Sequence, residues 1–261
     1  MSLNNHTHLI TIGFLFVLYA LFNVNCSGNS APKDEGQKGS VSNSYQVKRC
    51  SKPPYINSVW DKKFWDGVLP VRLDNYMGEK PEHFPQTDVK LRYDSKYLYV
   101  IFNVKDQYVK AVAKKRNGKV WQDSCVELFF SPGPDVARGY FNFEANCKGV
   151  YLFQYHTEGG ENYGFVGDED CKEITIAHSL TKNAEEELVK PENWTLEYRI
   201  PFAILKKYME VDQPGTGTIW MANFYKCADK TSHPHWLTWA PVKNPEPKFH
   251  LPEFFGQLEF E

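Results

Sequence analysis

The chain has 261 residues, a formal net charge of −2 and a pI near 6.5. It has no basic field to hold a phosphate backbone, which excludes nucleic acid as its natural partner. Aromatic residues make up 15% of it, a share that suits a strand-rich fold and leaves some rings over for recognition.

In chain order, residues 10–24 (ITIGFLFVLYALFNV) form an apolar run too short for a comfortable membrane span and too near the start for a core helix. It reads as the h-region of a signal peptide over residues 1–26, although the preceding MSLNNHTH carries no Lys or Arg. Cys26 stands where a bacterial lipoprotein carries its lipidated cysteine, but Asn23 and Asn25 replace the residues such processing prefers. Residues 27–49 are expected to be a flexible linker, since most of the stretch is Ser, Gly, Asn and charge with almost nothing to bury. One folded domain is expected over residues 50–261.

Within that domain, residues 89–106 (VKLRYDSKYLYVIFNVKD) alternate apolar and polar on both sides of Asp94-Ser95-Lys96, a hairpin signature. Residues 125–130 (CVELFF) predict a strand, and residues 140–153 (YFNFEANCKGVYLF) predict two more. Further strands are predicted over 174–180, 194–200, 219–227 and 256–260, with one or two helical turns over 202–209 and a charged loop or short helix over 183–190. Short strands at this spacing predict an all-β fold, an antiparallel, jelly-roll-like β-sandwich with little helix. No βαβ rhythm, GxGxxG or GxxxxGK[ST] points to a nucleotide site. Beyond Cys26, Cys50, Cys125, Cys147, Cys171 and Cys227 lack metal-binding spacing; their odd number leaves one thiol free unless Cys26 pairs.

A carbohydrate site needs flat aromatic faces for a pyranose ring and carboxylates or amides for its hydroxyls. Trp121-Gln122-Asp123 supplies that mixture just before the 125–130 strand, and Glu127 and Glu144 lie on predicted strands. Asn142, Glu144 and Asn146 alternate onto one face of theirs. The Pro-rich stretch 236–255 holds Trp236, Trp239, Phe249, Phe254 and Phe255, with His250 beside Phe249. His233, His235 and His250 read as loop histidines. An enzyme could use two of Asp123, Glu127 and Glu144 as acid and base, but no GxSxG elbow accompanies a nucleophile.

Four segments occur in order: Pro54-Tyr55-Ile56-Asn57 followed by Trp60, then LRYDSKYLYVIFNVKD, then VWQDSCVELFF, then HLPEFFGQLEF. Together they resemble family 9 carbohydrate-binding modules. The resemblance implies a β-sandwich that binds mono-, oligo- or polysaccharide without catalysis, in a slot between two aromatic side chains, and favours glycan reducing ends. By motif, the clamp rings fall on Trp121 and on Phe249, where the family usually has Trp. The sugar-bonding strand carboxylate falls on Glu127, with Asp123 also on the motif; Glu144, Asn146 and His250 complete the expected ligand-binding set. Structural calcium is compatible with the resemblance, although Asn57-Ser58 replaces the family's opening Asp-Gly. A secreted or extracytoplasmic monomer is expected, touching a membrane only through an N-terminal lipid. Related DOMON-like sandwiches include haem binders, for which Met209 and Met221 are the only Met residues after Met77.

Overall fold

The computed structural model describes residues 43–160 and 162–261. The signal peptide, Cys26 and most of the linker lie outside the described residues.

The fold is mostly β. Its strands are β1 (Ser44–Arg49), β2 (Val71–Arg72), β3 (Asn75–Tyr76), β4 (Gln86–Tyr93), β5 (Tyr97–Asp106), β6 (Cys125–Ser131) and β7 (Tyr140–Asn146). They continue with β8 (Tyr151–Thr157), β9 (Asn162–Phe165), β10 (Thr175–His178), β11 (Glu192–Pro201), β12 (Ile219–Cys227), β13 (Trp236–Thr238) and β14 (Gly256–Phe260). Helix is confined to single turns, including α1 (Asp168–Cys171) and α2 (Phe202–Leu205). Residues 183–190 form no helix.

The main sheet path runs β10-β11-β5-β4-β1-β14-β12-β6-β7-β8-β9. The sheet is curled, so strands distant along this path meet face to face: Phe143 on β7 lies 4.3 Å from Tyr198 on β11, and Phe102 on β5 lies 6.2 Å from Phe224 on β12. Between the two arms sits the main core, which includes Leu98, Val100, Phe130, Phe141, Leu196 and Trp220.

Two expectations need correction. The sheet is mixed rather than antiparallel, because β1 runs parallel to both β14 and β4. The expected linker also ends early, since its last six residues are β1 itself. Tyr45 and Val47 alternate into the core, and the Tyr45 hydroxyl donates to the Leu69 carbonyl at 3.1 Å while accepting from the Leu91 amide at 3.2 Å. Ser44–Arg49 is a polar sequence with only two inward residues, and its partners lie far along the chain. Local composition therefore resembles a tether.

Strands β6 and β7 are buried on both faces. Val126, Leu128, Phe130, Phe141 and Phe143 enter the core. The opposite face is partly roofed by the segment after β12: Phe249 stacks on Tyr225 at 4.1 Å and 11°, and Phe255 and Val242 join the same apolar cluster. That roof leaves a pocket over the middle of β6, β7 and β8.

Candidate functional site

The pocket has a volume of about 480 Å³, with Glu127, Glu144, Leu152 and Gln154 at its floor and aromatic side chains Trp121, Trp236 and Phe249 on its walls. Strand register creates the floor. Glu127 on β6 is directly opposite Glu144 on β7, which is opposite Leu152 on β8. Two carboxylates facing each other across adjacent strands repel when ionised, an arrangement that weakens a sheet and calls for another explanation.

Both carboxylates are almost fully buried. Glu127 Oε1 accepts from the Cys227 thiol at 3.1 Å, and Glu144 Oε1 accepts from Asn142 Nδ2 at 2.8 Å. The second oxygen of each has no protein partner among the described residues. Burial, reinforced by Cys227 and Glu144, pushes the Glu127 carboxyl well above the usual carboxylate range. Burial pushes Glu144 up to about 7, against the lowering effect of the Asn142 hydrogen bond. The floor thus holds two carboxyl groups, each with one oxygen that the described residues leave without a hydrogen-bond partner.

Trp121 projects from a single 3-10 turn, Val120–Gln122, closed by the Asp123 amide donating to the Val120 carbonyl at 3.0 Å. Its carbonyl accepts from the Asp229 amide at 3.3 Å, tying the turn to the loop after β12. Phe249 is held from behind by its stack on Tyr225, whose hydroxyl donates to the Phe249 carbonyl at 3.2 Å. His250, also at the pocket, has its Nδ1 hydrogen-bonded to the Tyr140 hydroxyl at 2.9 Å.

Five of the seven residues expected from sequence therefore line one pocket: Trp121, Glu127, Glu144, Phe249 and His250. Asp123 and Asn146 do not. The Asp123 carboxylate accepts from the Val112 and Ala113 amides at 2.9 and 3.0 Å and from Asn146 Nδ2 at 2.8 Å. Asn146 Oδ1 accepts from the Lys148 and Val150 amides. Short Asx side chains at strand ends have satisfied loop amides instead of facing the pocket.

Sequence reasoning left out Trp236, whose Nε1 donates to Asp229 Oδ1 at 2.8 Å, and Gln154, whose Oε1 accepts from Asn142 Nδ2 at 3.0 Å. Trp236 was visible as one ring among several in the Pro-rich stretch. Gln154 carried no signal without the register of β8.

One set of metal-ligating side chains converges among the described residues: Cys125, Glu127 and Cys227, with donor atoms within 4.8 Å of one another. Two thiols and one carboxylate do not make the oxygen-rich shell that calcium requires. Burial pushes the Cys125 thiol up to about 12 and Cys227 well above its usual range, favouring neutral thiols. At the opening turn Ser58 takes a φ of +56°, and the Glu197 carboxylate accepts from the Asn57 and Ser58 amides at 2.8 and 2.9 Å. Lys62 lies 2.5 Å from the other Glu197 oxygen. An ammonium already meets the carboxylate charge there, so this turn does not fit a calcium ion. Among the described residues, Cys50, Cys125, Cys147, Cys171 and Cys227 form no disulfide with one another.

The sequence matches the profile described as Carbohydrate-binding family 9 over residues 68–260. The chain belongs to carbohydrate-binding family 9. A solved structure of a candidate carbohydrate-binding protein from Bacteroides uniformis is similar, with 32% identity, a TM-score of 0.76, and coverage of 84% of this chain and 100% of that one. The fold also matches a family 9 module from Caldicellulosiruptor kristjanssonii, solved with cellotriose and with glucose, at a TM-score of 0.58 and 17% identity over 84% of this chain; coverage of that module is 94% and 96% in the two complexes. Among curated proteins, one from Arthroderma benhamiae named "Extracellular protein" is 28% identical over 208 residues, 75% of this chain and 86% of that one. In this family 9 chain, Met209 and Met221 pack against apolar clusters and do not line the pocket.

Proposed function

We propose that this family 9 protein is an exported, non-catalytic carbohydrate binder whose sugar ring lies between Trp121 and the Phe249–Trp236 wall. The observation that carries this reading is the pair of carboxyl groups, on Glu127 and Glu144, that line an aromatic-walled pocket and each keep one buried oxygen without a protein donor among the described residues. A sugar presents hydroxyl donors to such oxygens and an apolar ring face to the aromatics, so it meets both needs at once. Gln154 Nε2 and the exposed His250 add hydrogen-bonding groups at the rim. Asp123 and Asn146 act by holding the Trp121 turn.

Stacking a ring on two aromatics buries on the order of 100–200 Å² of apolar area, about 2–5 kcal/mol before ordering costs, which by itself supports binding only in the roughly millimolar range and leaves tighter binding to the hydrogen bonds. The reading includes the preference for glycan reducing ends that the family resemblance implies. The name of the Arthroderma relative supports export, with residues 1–26 as the signal peptide.

The test is calorimetric titration of the protein with glucose, cellobiose, xylobiose and the alditol cellobiitol. Binding of the first three but not the alditol, abolished by Trp121→Ala, is the expected result. Full binding by the Trp121→Ala protein would rule out the aromatic clamp, and equal binding of the alditol would rule out the reducing-end preference.

A further inference from the structure

The pocket does not end at Glu144. Strand β9 forms the free edge of the sheet beyond β8, pairing Phe165 with Gln154 and Tyr163 with His156. Directly opposed residues project to the same face, so Tyr163 and Phe165 share the pocket face with Gln154. Both also line the pocket. Between them, Gly164 turns its bare side to the core arm: a Cβ there would lie 2.5 Å from the Tyr155 hydroxyl. The strand is thus pressed against Tyr155 by its glycine and displays its two rings on the other side.

These rings are 65% and 47% exposed. Apolar rings on an uncovered edge strand invite unwanted pairing and aggregation, so their retention in the open needs a reason. Partial packing accounts for one ring at most, since Tyr163 stacks on His156 with ring centroids 5.7 Å apart and still leaves most of its surface exposed. Position supplies a better reason. Two strand spacings separate β7 from β9, about 10 Å, farther than a ring seated over Glu144 reaches. Asn117, held at a φ of +60° with its Oδ1 accepting from the Phe153 amide at 3.2 Å, lines the same pocket and adds a polar side chain to it.

We infer that Tyr163 and Phe165 form a second sugar subsite, a platform on which the next residue of the glycan stacks, so that the protein selects oligosaccharides over monosaccharides. The inference rests on the reading of the pocket as a carbohydrate site. The occupant is the continuation of the same glycan because the platform and the carboxylate floor are one continuous surface.

The experiment measures affinities of the full chain for glucose, xylose, mannose and galactose and for their β-1,4-linked dimers and trimers. Wild type is compared with Tyr163→Ala, Phe165→Ala and the double variant, each checked for an unchanged melting temperature. The expected result is a gain of about tenfold from monomer to dimer in wild type, the equivalent of about 1.4 kcal/mol. The double variant loses that gain and keeps monosaccharide affinity. Monosaccharide binding with no gain from a second residue overturns the subsite alone, as does a gain that survives in the double variant. Silence toward every sugar, monomers included, overturns the carbohydrate reading and the subsite with it.

Discussion

Two buried carboxylate sites in this protein look alike by burial and opposite by chemistry. Glu197 on β11 is fully buried, yet both oxygens are engaged, by the Asn57 and Ser58 amides on one side and by Trp65 Nε1 at 3.2 Å and the Lys62 ammonium on the other. Glu127 and Glu144 are equally inaccessible, face each other across a strand pair, and each leaves one oxygen without a protein donor. The contrast teaches that burial by itself does not distinguish a structural carboxylate from a binding one; what does is whether the protein completes its hydrogen bonds.

Glu197→Ala removes a carboxylate that anchors a turn, an indole and a part-buried ammonium. We expect a loss of about 3 kcal/mol or more in urea unfolding, and near-wild-type stability would place Glu197 outside the structural class. Asp123→Ala, which strands the Val112 and Ala113 amides, is expected to cost about 1–3 kcal/mol in the same measurement.

Glu127→Gln should behave in the reverse manner. Sugar affinity is expected to fall about tenfold or more, about 1.4 kcal/mol, while stability holds or rises because a buried ionisable group has gone. A stability loss as large as that of Glu197→Ala would erase the distinction between the two sites.

The last test is pH dependence. Burial pushes the Glu144 carboxyl up to about 7 in the folded chain, above the ordinary carboxylate range it has when unfolded. Its contribution to stability is therefore complete below the unfolded value and is lost as pH rises through about 7. The sugar-free protein should lose about 1–3 kcal/mol between pH 5 and pH 8 from this group. Glu144→Gln should make the profile shallower, leaving the slope of the same sign that Glu127 contributes, and stabilise the protein at pH 8, whereas an unchanged slope would show that Glu144 is ionised in the pocket throughout.

The amino-acid sequence by itself determined the local elements and the chemistry on offer. The hairpin of β4 and β5 was legible because alternation continues on both sides of Asp94-Ser95-Lys96, and β6 because CVELFF is short, apolar and bounded by turns. Trp121, Glu127 and Phe249 could be named because the motifs that resemble family 9 modules fall on them, and Glu144 because it lies on the face of a predicted strand, with His250 beside Phe249. Tertiary structure alone decided that β1 belongs to the sheet and runs parallel within it, since its partners are contributed by β4 and by the last strand of the chain. It alone set Glu127 opposite Glu144, gave Asp123 and Asn146 to loop amides, and carried Tyr163 and Phe165 to the far side of the pocket. Pattern along a chain reports which face a side chain takes, because a strand has a period of two. Which other side chain completes its hydrogen bonds depends on register between strands distant in sequence, and register is a property of the folded sheet.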